Sequence, residues 1–430
     1  MTFSARFNAR ERRYAGALLC LLAGCSRLTD VIAPDVVQLD ALGNSAGAEA
    51  LRVGSLSGFA LVYAGGELGQ ITSSGALADE FFNASSGAVA FAAADIRVIP
   101  EPSTAYPYLA IQRSRLDARR AIASLQQFTP ASRARIGEQF ALAAYTQLFF
   151  AENMCSGIPL GEIVDGKPSF GQPLSTDDLL SRAVADFDSA LMYAVDSARI
   201  GDLARVGRAR ALLSRGQFAA AATSVGAVST GYSYVTQYSA AQPNGIFAII
   251  NTVRWLTVSD REGGNGLDFR GALDPRVPTV RVGQGIDGIT DVYAYARYGS
   301  IAAPVVLASG VEARLVEAEA TLRAGDAGGA LQVLNNLRST MPGLAPLTLA
   351  PSEATRVDQL FRERAFWLFA TGHRHGDLRR LVRQYGRPAD TVFPTGAYKN
   401  GQTYGDDVTF APDPAQLGNP AFTSCKSRGA

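Results

Sequence analysis

Lysine is almost missing from this chain. Only Lys167, Lys399 and Lys426 occur, and the other 37 of the 40 basic residues are arginine, which reads as a GC-rich coding bias. Net charge is +1, so no cationic surplus exists to drive phosphate binding, and nucleic acid is not expected as a partner. Histidine is scarcer still: a Ser-His-Asp triad would have to use His373 or His375. A His-x-His pair can chelate a metal on an extended strand, but only Asp377 stands near as a further ligand, so neither a metal nor a cofactor is expected. Beyond the N-terminal segment, no stretch approaches the ~18 uninterrupted apolar residues of a membrane-spanning helix. What the chain does have is length and apolar content. Its 430 residues are 47% hydrophobic, enough for a sizeable core and against wholesale disorder.

The N-terminus reads as an address. Residues 6–13 carry Arg6, Arg10, Arg12 and Arg13 ahead of a short apolar run, Ala15 to Ala23. Leu22-Ala23-Gly24-Cys25 follows, and it resembles the bacterial lipobox, where cleavage precedes a cysteine that then takes lipid. The expected divisions are a signal peptide at 1–24, a lipid-anchored tether at 25–45 and a folded body at 46–430. Cleavage would remove four arginines and one glutamate, turning +1 into −2. Cys155 and Cys425 would then be the remaining ordinary thiols, and in an exported protein they are a disulfide candidate, with two free thiols as the alternative.

The body reads as all-α. Thr129-Pro130 has the chemistry of a helix start, and Ile136, Phe140, Ala144, Leu148 and Ala151 form a stripe at helical spacing. Ser175 followed by Asp177 and Asp178 opens the next helix, with Leu179, Ala183, Phe187 and Leu191 on one face. Two segments align without gaps, Arg208 to Val228 and Glu317 to Leu337. Each is helix, tight turn and alanine-rich helix, resembling the tetratricopeptide unit. Their separation argues for hairpins interrupted by a long excursion, not for a continuous solenoid. That excursion spans about 229–305, carries prolines, frequent glycine, Trp255 and six of the 15 tyrosines, and lacks a helical period.

The strongest family signal is Phe361 to Leu381. There Glu363-Arg364, Gly372-His373-Arg374 and Asp377-Leu378-Arg379-Arg380 resemble the signature of the SusD/RagB-like nutrient-uptake lipoproteins. Asp274-Pro275-Arg276, Arg314 to Gly325, Gly157 to Leu160 and Asn419-Pro420 resemble further family turns and helices in the same order. His375-Gly376 departs from the pattern, where the family carries an aromatic pair, and looser local packing is expected there. The resemblance implies tetratricopeptide-like hairpins forming a scaffold, with an irregular loop-rich part. It also implies an outer-membrane, surface-facing lipoprotein that hands an oligosaccharide, or a peptide, to a SusC-like TonB-dependent barrel, without catalysis. An envelope-assembly scaffold lipoprotein with no small ligand is the alternative reading.

Within the motif, Glu363, Arg364, Gly372, His373, Arg374, Asp377 and Arg379 are expected to be structural. Glu363 with Arg364 reads as an ion pair or network, His373 as a hydrogen-bonding residue of the fold, and His375 as half exposed. Adjacent carboxylates such as Asp79-Glu80 and Asp177-Asp178 could flank a glycosidic bond, but they read better as caps and solvated charge. A sugar site needs amphipathic aromatic plates with polar side chains beside them. The candidates are Asp79, Asn83, Trp255, Tyr293 and Tyr295.

Overall fold

The computed structural model describes residues 42–430 except 67, 88–89 and 165–166. The expected signal peptide, Cys25 and nearly all of the expected tether lie outside the described residues. The body is mainly helical, as the apolar periodicity predicts. Its long helices are α1 (Ser45–Ala64), α2 (Gln70–Leu77), α3 (Ala90–Asp95), α4 (Tyr108–Phe128), α5 (Arg133–Asn153), α6 (Thr176–Tyr193), α7 (Ala198–Ser214), α8 (Phe218–Val225), α9 (Gly310–Arg323), α10 (Ala327–Ser339), α11 (Glu353–Trp367) and α12 (Arg374–Tyr385). None of the described helices is long and apolar enough to cross a membrane.

Local chemistry sets the helix ends. Ser175 and Asp178 form a reciprocal capping box at the start of α6, and Ser352 with Thr355 does the same for α11. Gly386, at φ 65°, ends α12 in the left-handed conformation that glycine adopts without penalty. The expected start at Thr129-Pro130 is corrected. Thr129 caps the C-terminus of α4, and α5 begins after Ser132, because the intervening turn reverses the chain.

The helices pack in sequence order, α4 on α1, α5 on α4, α6 on α5, α7 on α6 and α8 on α7. Aromatic rings fill the seams. Tyr63 stacks on Phe149 at 5.7 Å, and Phe187 meets Tyr145 edge-on at 5.1 Å. Burying each such ring contributes about 1.5–3 kcal/mol. Gly207 makes the α6–α7 approach possible, since a Cβ there would lie 2.3 Å from Cζ of Phe187.

The two matching segments are the hairpins α7–α8 and α9–α10, and they stack directly: α9 packs on both α7 and α8. The excursion between them leaves and returns at one place. Its first strand and its last pair antiparallel, Ser233–Thr236 with Val305–Ser309. The excursion is therefore an insertion sewn shut at its base. Within it and beside it run short antiparallel ladders. Numbered with the earlier strands, these are β1 (Phe81–Asn83), the small hairpin elements β2 (Ile158–Pro159), β3 (Glu162–Val164), β4 (Lys167–Ser169) and β5 (Pro173–Leu174), then β6 (Ser233–Thr236), β7 (Leu256–Val258), β8 (Thr279–Gln284), β9 (Asp291–Tyr295) and β10 (Val305–Ser309). β1 pairs with β7, and β8 with β9.

Cys155 and Cys425 are joined by a disulfide, with Cα atoms 5.9 Å apart. It ties the exit of α5 to the C-terminal segment. Backbone bonds on either side, Phe410 N–H to Asn153 and Lys426 N–H to Ser156, hold the same register.

Candidate binding cleft

The family-like motif builds a buried ionic frame. Arg364 and Arg380 both bind Asp377, and Arg380 also grips Glu319 of α9 with two bonds, at 2.5 and 2.9 Å. Glu363 does not pair with Arg364. It takes Arg276 and Arg338, while Arg276 chelates Asp274, so the Asp-Pro-Arg turn is clamped to α11. The cause is helical geometry: adjacent residues on a helix face different sides. Gly372, at φ +72°, leaves no room for a Cβ, which would lie 2.3 Å from Oε1 of Gln70. Arg379 pairs with no carboxylate among the described residues. It donates to the carbonyl of Ala151, and burial pushes it down to about 9.

His375 is fully buried, not half exposed. Its Nε2–H donates to Val408 O at 3.0 Å, Nδ1 lies 2.8 Å from the Asn153 amide group, and its ring packs edge-on to Phe393 and Phe410. The expected loosening at His375-Gly376 is thereby corrected: the imidazole fills the space and Gly376 sits against Glu152. Burial pushes His375 down to about 3, so it stays neutral. His373 instead faces Glu312, Arg210 and Thr371. The two histidines share no ligand, and among the described residues no group of three or more His, Cys, Asp or Glu could hold a metal ion.

Asp79 belongs to this frame and not to a binding surface. Both its oxygens are on Arg374, at 2.5 and 2.8 Å, one also accepts from Leu267 N–H, and no part is exposed. Its neighbour Glu80 accepts from Ala370 N–H, and burial raises it to about 8. Asp177 pairs with Arg215, and Asp178 caps α6, so neither adjacent carboxylate pair flanks a cleft. A Gly-x-Ser-x-Gly pattern at Gly43 to Gly47, easily passed over in the sequence, forms the start of α1. There Asn44 caps Gly47 N–H and neither histidine contacts Ser45.

Two open clefts lie side by side over the β1–β7 ladder. The larger is about 670 Å³ and the smaller about 400 Å³, and Tyr398 and Lys399 line both. This shared wall is a turn held by three acids. Tyr398 donates to Asp95 at 2.5 Å, Tyr404 to Glu262 at 3.1 Å, and the Lys399 ammonium to Asp287 at 3.0 Å and Asn83 O at 2.6 Å. The Phe82 ring lies beneath, 5.4 Å from Tyr398. In the larger cleft the charged side chains are Lys399 and Asp287, which neutralise each other, and the remaining polar lining is serine, threonine, asparagine and glutamine.

Of the candidates, Asn83 lines the larger cleft and Tyr293 the smaller. Asn83 Oδ1 accepts from Ser85, and the Tyr293 ring lies 4.2 Å from the Arg270 guanidinium. Trp255 lines neither cleft. It packs on Phe91 against the core. Tyr295 is buried between Tyr298 and Phe369 and borders a separate hollow of about 440 Å³. Sequence reasoning missed Tyr398, Lys399, Asp287, Asn400 and Gln402. The available signal was Lys399, one of three lysines, inside the turn-rich run Gly396 to Gly401.

The chain has the SusD/RagB-like fold. It aligns with a SusD superfamily protein from Parabacteroides distasonis at a TM-score of 0.67 and 14% identity, covering 89% of this chain and 98% of that one. A SusD-like carbohydrate binding protein from Bacteroides vulgatus aligns at 0.59 and 15% identity, covering 78% and 83%. B. fragilis NanU aligns at 0.62 and 12%, covering 90% and 97%. No family model matches the chain, and no curated protein matches it by sequence.

Proposed function

We propose that the protein is a SusD/RagB-type surface lipoprotein that captures a neutral oligosaccharide in the clefts flanking Tyr398 and Lys399 and passes it to a TonB-dependent outer-membrane barrel, without catalysis. The observation that carries this reading is the larger cleft's lining. Hydroxyl and amide side chains alternate with alanine, isoleucine and proline beside the Tyr398 wall, and among the described residues the cleft's one ammonium and one carboxylate cancel. Such a surface matches a sugar's apolar face and hydroxyl rim and offers no net charge to a peptide terminus. The fold and the name of the B. vulgatus neighbour, a carbohydrate binding protein, support the same reading. Attachment through Cys25 rests on the lipobox resemblance alone.

Isothermal titration with a panel of neutral oligosaccharides tests it. At least one should bind, and Tyr398→Ala should weaken that binding by about tenfold or more, the loss of about 1.4 kcal/mol. Binding only to peptides, or undiminished sugar binding by Tyr398→Ala, would overturn it.

A further inference from the structure

Beneath the wall shared by the two clefts, two carboxyl groups meet. Asp95 ends α3 with none of its surface exposed, and Glu262 lies in the turn after β7 with 5% exposed. The two act directly on each other, Asp95 Oδ1 is buried with no donor among the described residues, and two ionised carboxylates so placed would repel. Asp95 also accepts from Asn83 N–H at 3.1 Å and from the Tyr398 hydroxyl. Glu262 accepts from the Ser259 hydroxyl at 2.9 Å and from Tyr404. The rings of Tyr398 and Tyr404 meet edge-on at 5.1 Å, so the pair holds both ends of the wall turn.

The surrounding charges are committed elsewhere. Lys399 is tied to Asp287, Arg270 faces Asp260 at 3.7 Å, and Arg261 faces Asp268 at 3.8 Å. Asp79, whose charge is felt at Glu262, is occupied by Arg374. No guanidinium or ammonium forms an ion pair with either Asp95 or Glu262 among the described residues.

We propose that Asp95 and Glu262 share one proton, and that this proton latches the Tyr398–Tyr404 wall of the clefts closed. Its loss places two carboxylates together in a buried site, and the turn must lift to hydrate them. Burial and the Asp95 charge push Glu262 well above the carboxylate range, while burial takes Asp95 up to about 6 against the lowering effect of its partners, the order expected of a pair that keeps one proton at neutral pH. The sign follows from linkage. The closed wall binds a proton that the open wall releases, so opening becomes easier as pH rises. The slope is about tenfold per pH unit between the ordinary carboxylate value and the raised one. The consequence for solute capture rests on the proposed function, but the latch itself is read without ligand.

Hydrogen–deuterium exchange of amides 396–405, referred to amides of α5 in the same sample, is measured from pH 5 upward. The expected result is a relative rise of about tenfold per pH unit followed by a plateau, absent in both Glu262→Gln and Asp95→Asn. Infrared spectra should show a protonated-carboxyl band in the wild type that is missing from Glu262→Gln. Because Glu80 supplies a similar band, the difference between the two proteins is read. A flat wild-type profile, an unchanged step in both variants, or opening at pH 7 on chelation of divalent cations would overturn the latch. An intact step in a protein that binds no sugar would sink the functional reading and leave the latch standing.

Discussion

Asp79 and Arg374 stand 295 residues apart in the chain and meet as a two-bond ion pair in the interior. Removing one partner strands the other charge where water cannot reach it. Arg374→Ala is expected to cost about 3–5 kcal/mol in urea unfolding. Arg374→Lys should recover only part of this, because a point charge cannot make the paired fork. Glu80, one position on, has no such partner among the described residues. Folding raises it to about 8 from an ordinary 4.5, so the native state holds a proton that the unfolded chain releases. Its contribution is complete below about 4.5 and is lost as pH rises through 8. His375 acts in the opposite sense. It is kept neutral to about 3 against an ordinary 6.5, so stability falls as pH drops through that window. Between about 4.5 and 6.5 the two slopes cancel, so melting temperature should be highest there and fall on either side. Glu80→Gln should flatten the alkaline limb, and an unchanged limb would assign it to other groups.

At the scale of elements, the disulfide and the helix seams carry the testable weight. The Cys155–Cys425 bridge closes a loop of 270 residues, and its reduction should cost about 2–5 kcal/mol if the denatured chain is the state it constrains. Unfolding with and without reductant measures this. Gly207→Ala inserts a methyl against Phe187 and Tyr145 and should cost about 1–3 kcal/mol through overpacking, read in the same assay. Helices of this length announce themselves in sequence because their apolar stripe and caps are local. Ser175 and Asp178 show this for α6. The start of α5 was not legible, since Thr-Pro suits a helix start and a turn equally, and packing against α4 decided between them. The short strands were less legible still. β1 has three residues, and its partner β7 comes from the excursion, so neither has meaning until the chain has returned.

At the scale of the molecule, the excursion leaves and re-enters through the β6–β10 ladder, which lets α9 dock on α7 and α8 as if the chain had never departed. The hairpins are interrupted along the chain yet stacked in space. The same return brings β7, β8 and β9 against β1 and the 394–405 turn, and the clefts exist only at that meeting. If the whole assembly works as proposed, Cys25→Ser should release the protein from washed membranes, and solubilised wild type should co-purify with a large outer-membrane barrel. Fractionation and mass spectrometry read both outcomes. Persistent membrane attachment of the variant would remove the lipid anchor from the account.

The sequence by itself determined the helical class and the repeated hairpin, because these follow from local periodicity. Only the tertiary structure decided which polar residues face solute. Asp79 and Asn83 lie four positions apart in one chemically similar run, yet one is sealed by an arginine from the far end of the chain and the other opens onto a cleft. Exposure is a property of what packs on top, and what packs on top here comes from segments hundreds of residues away.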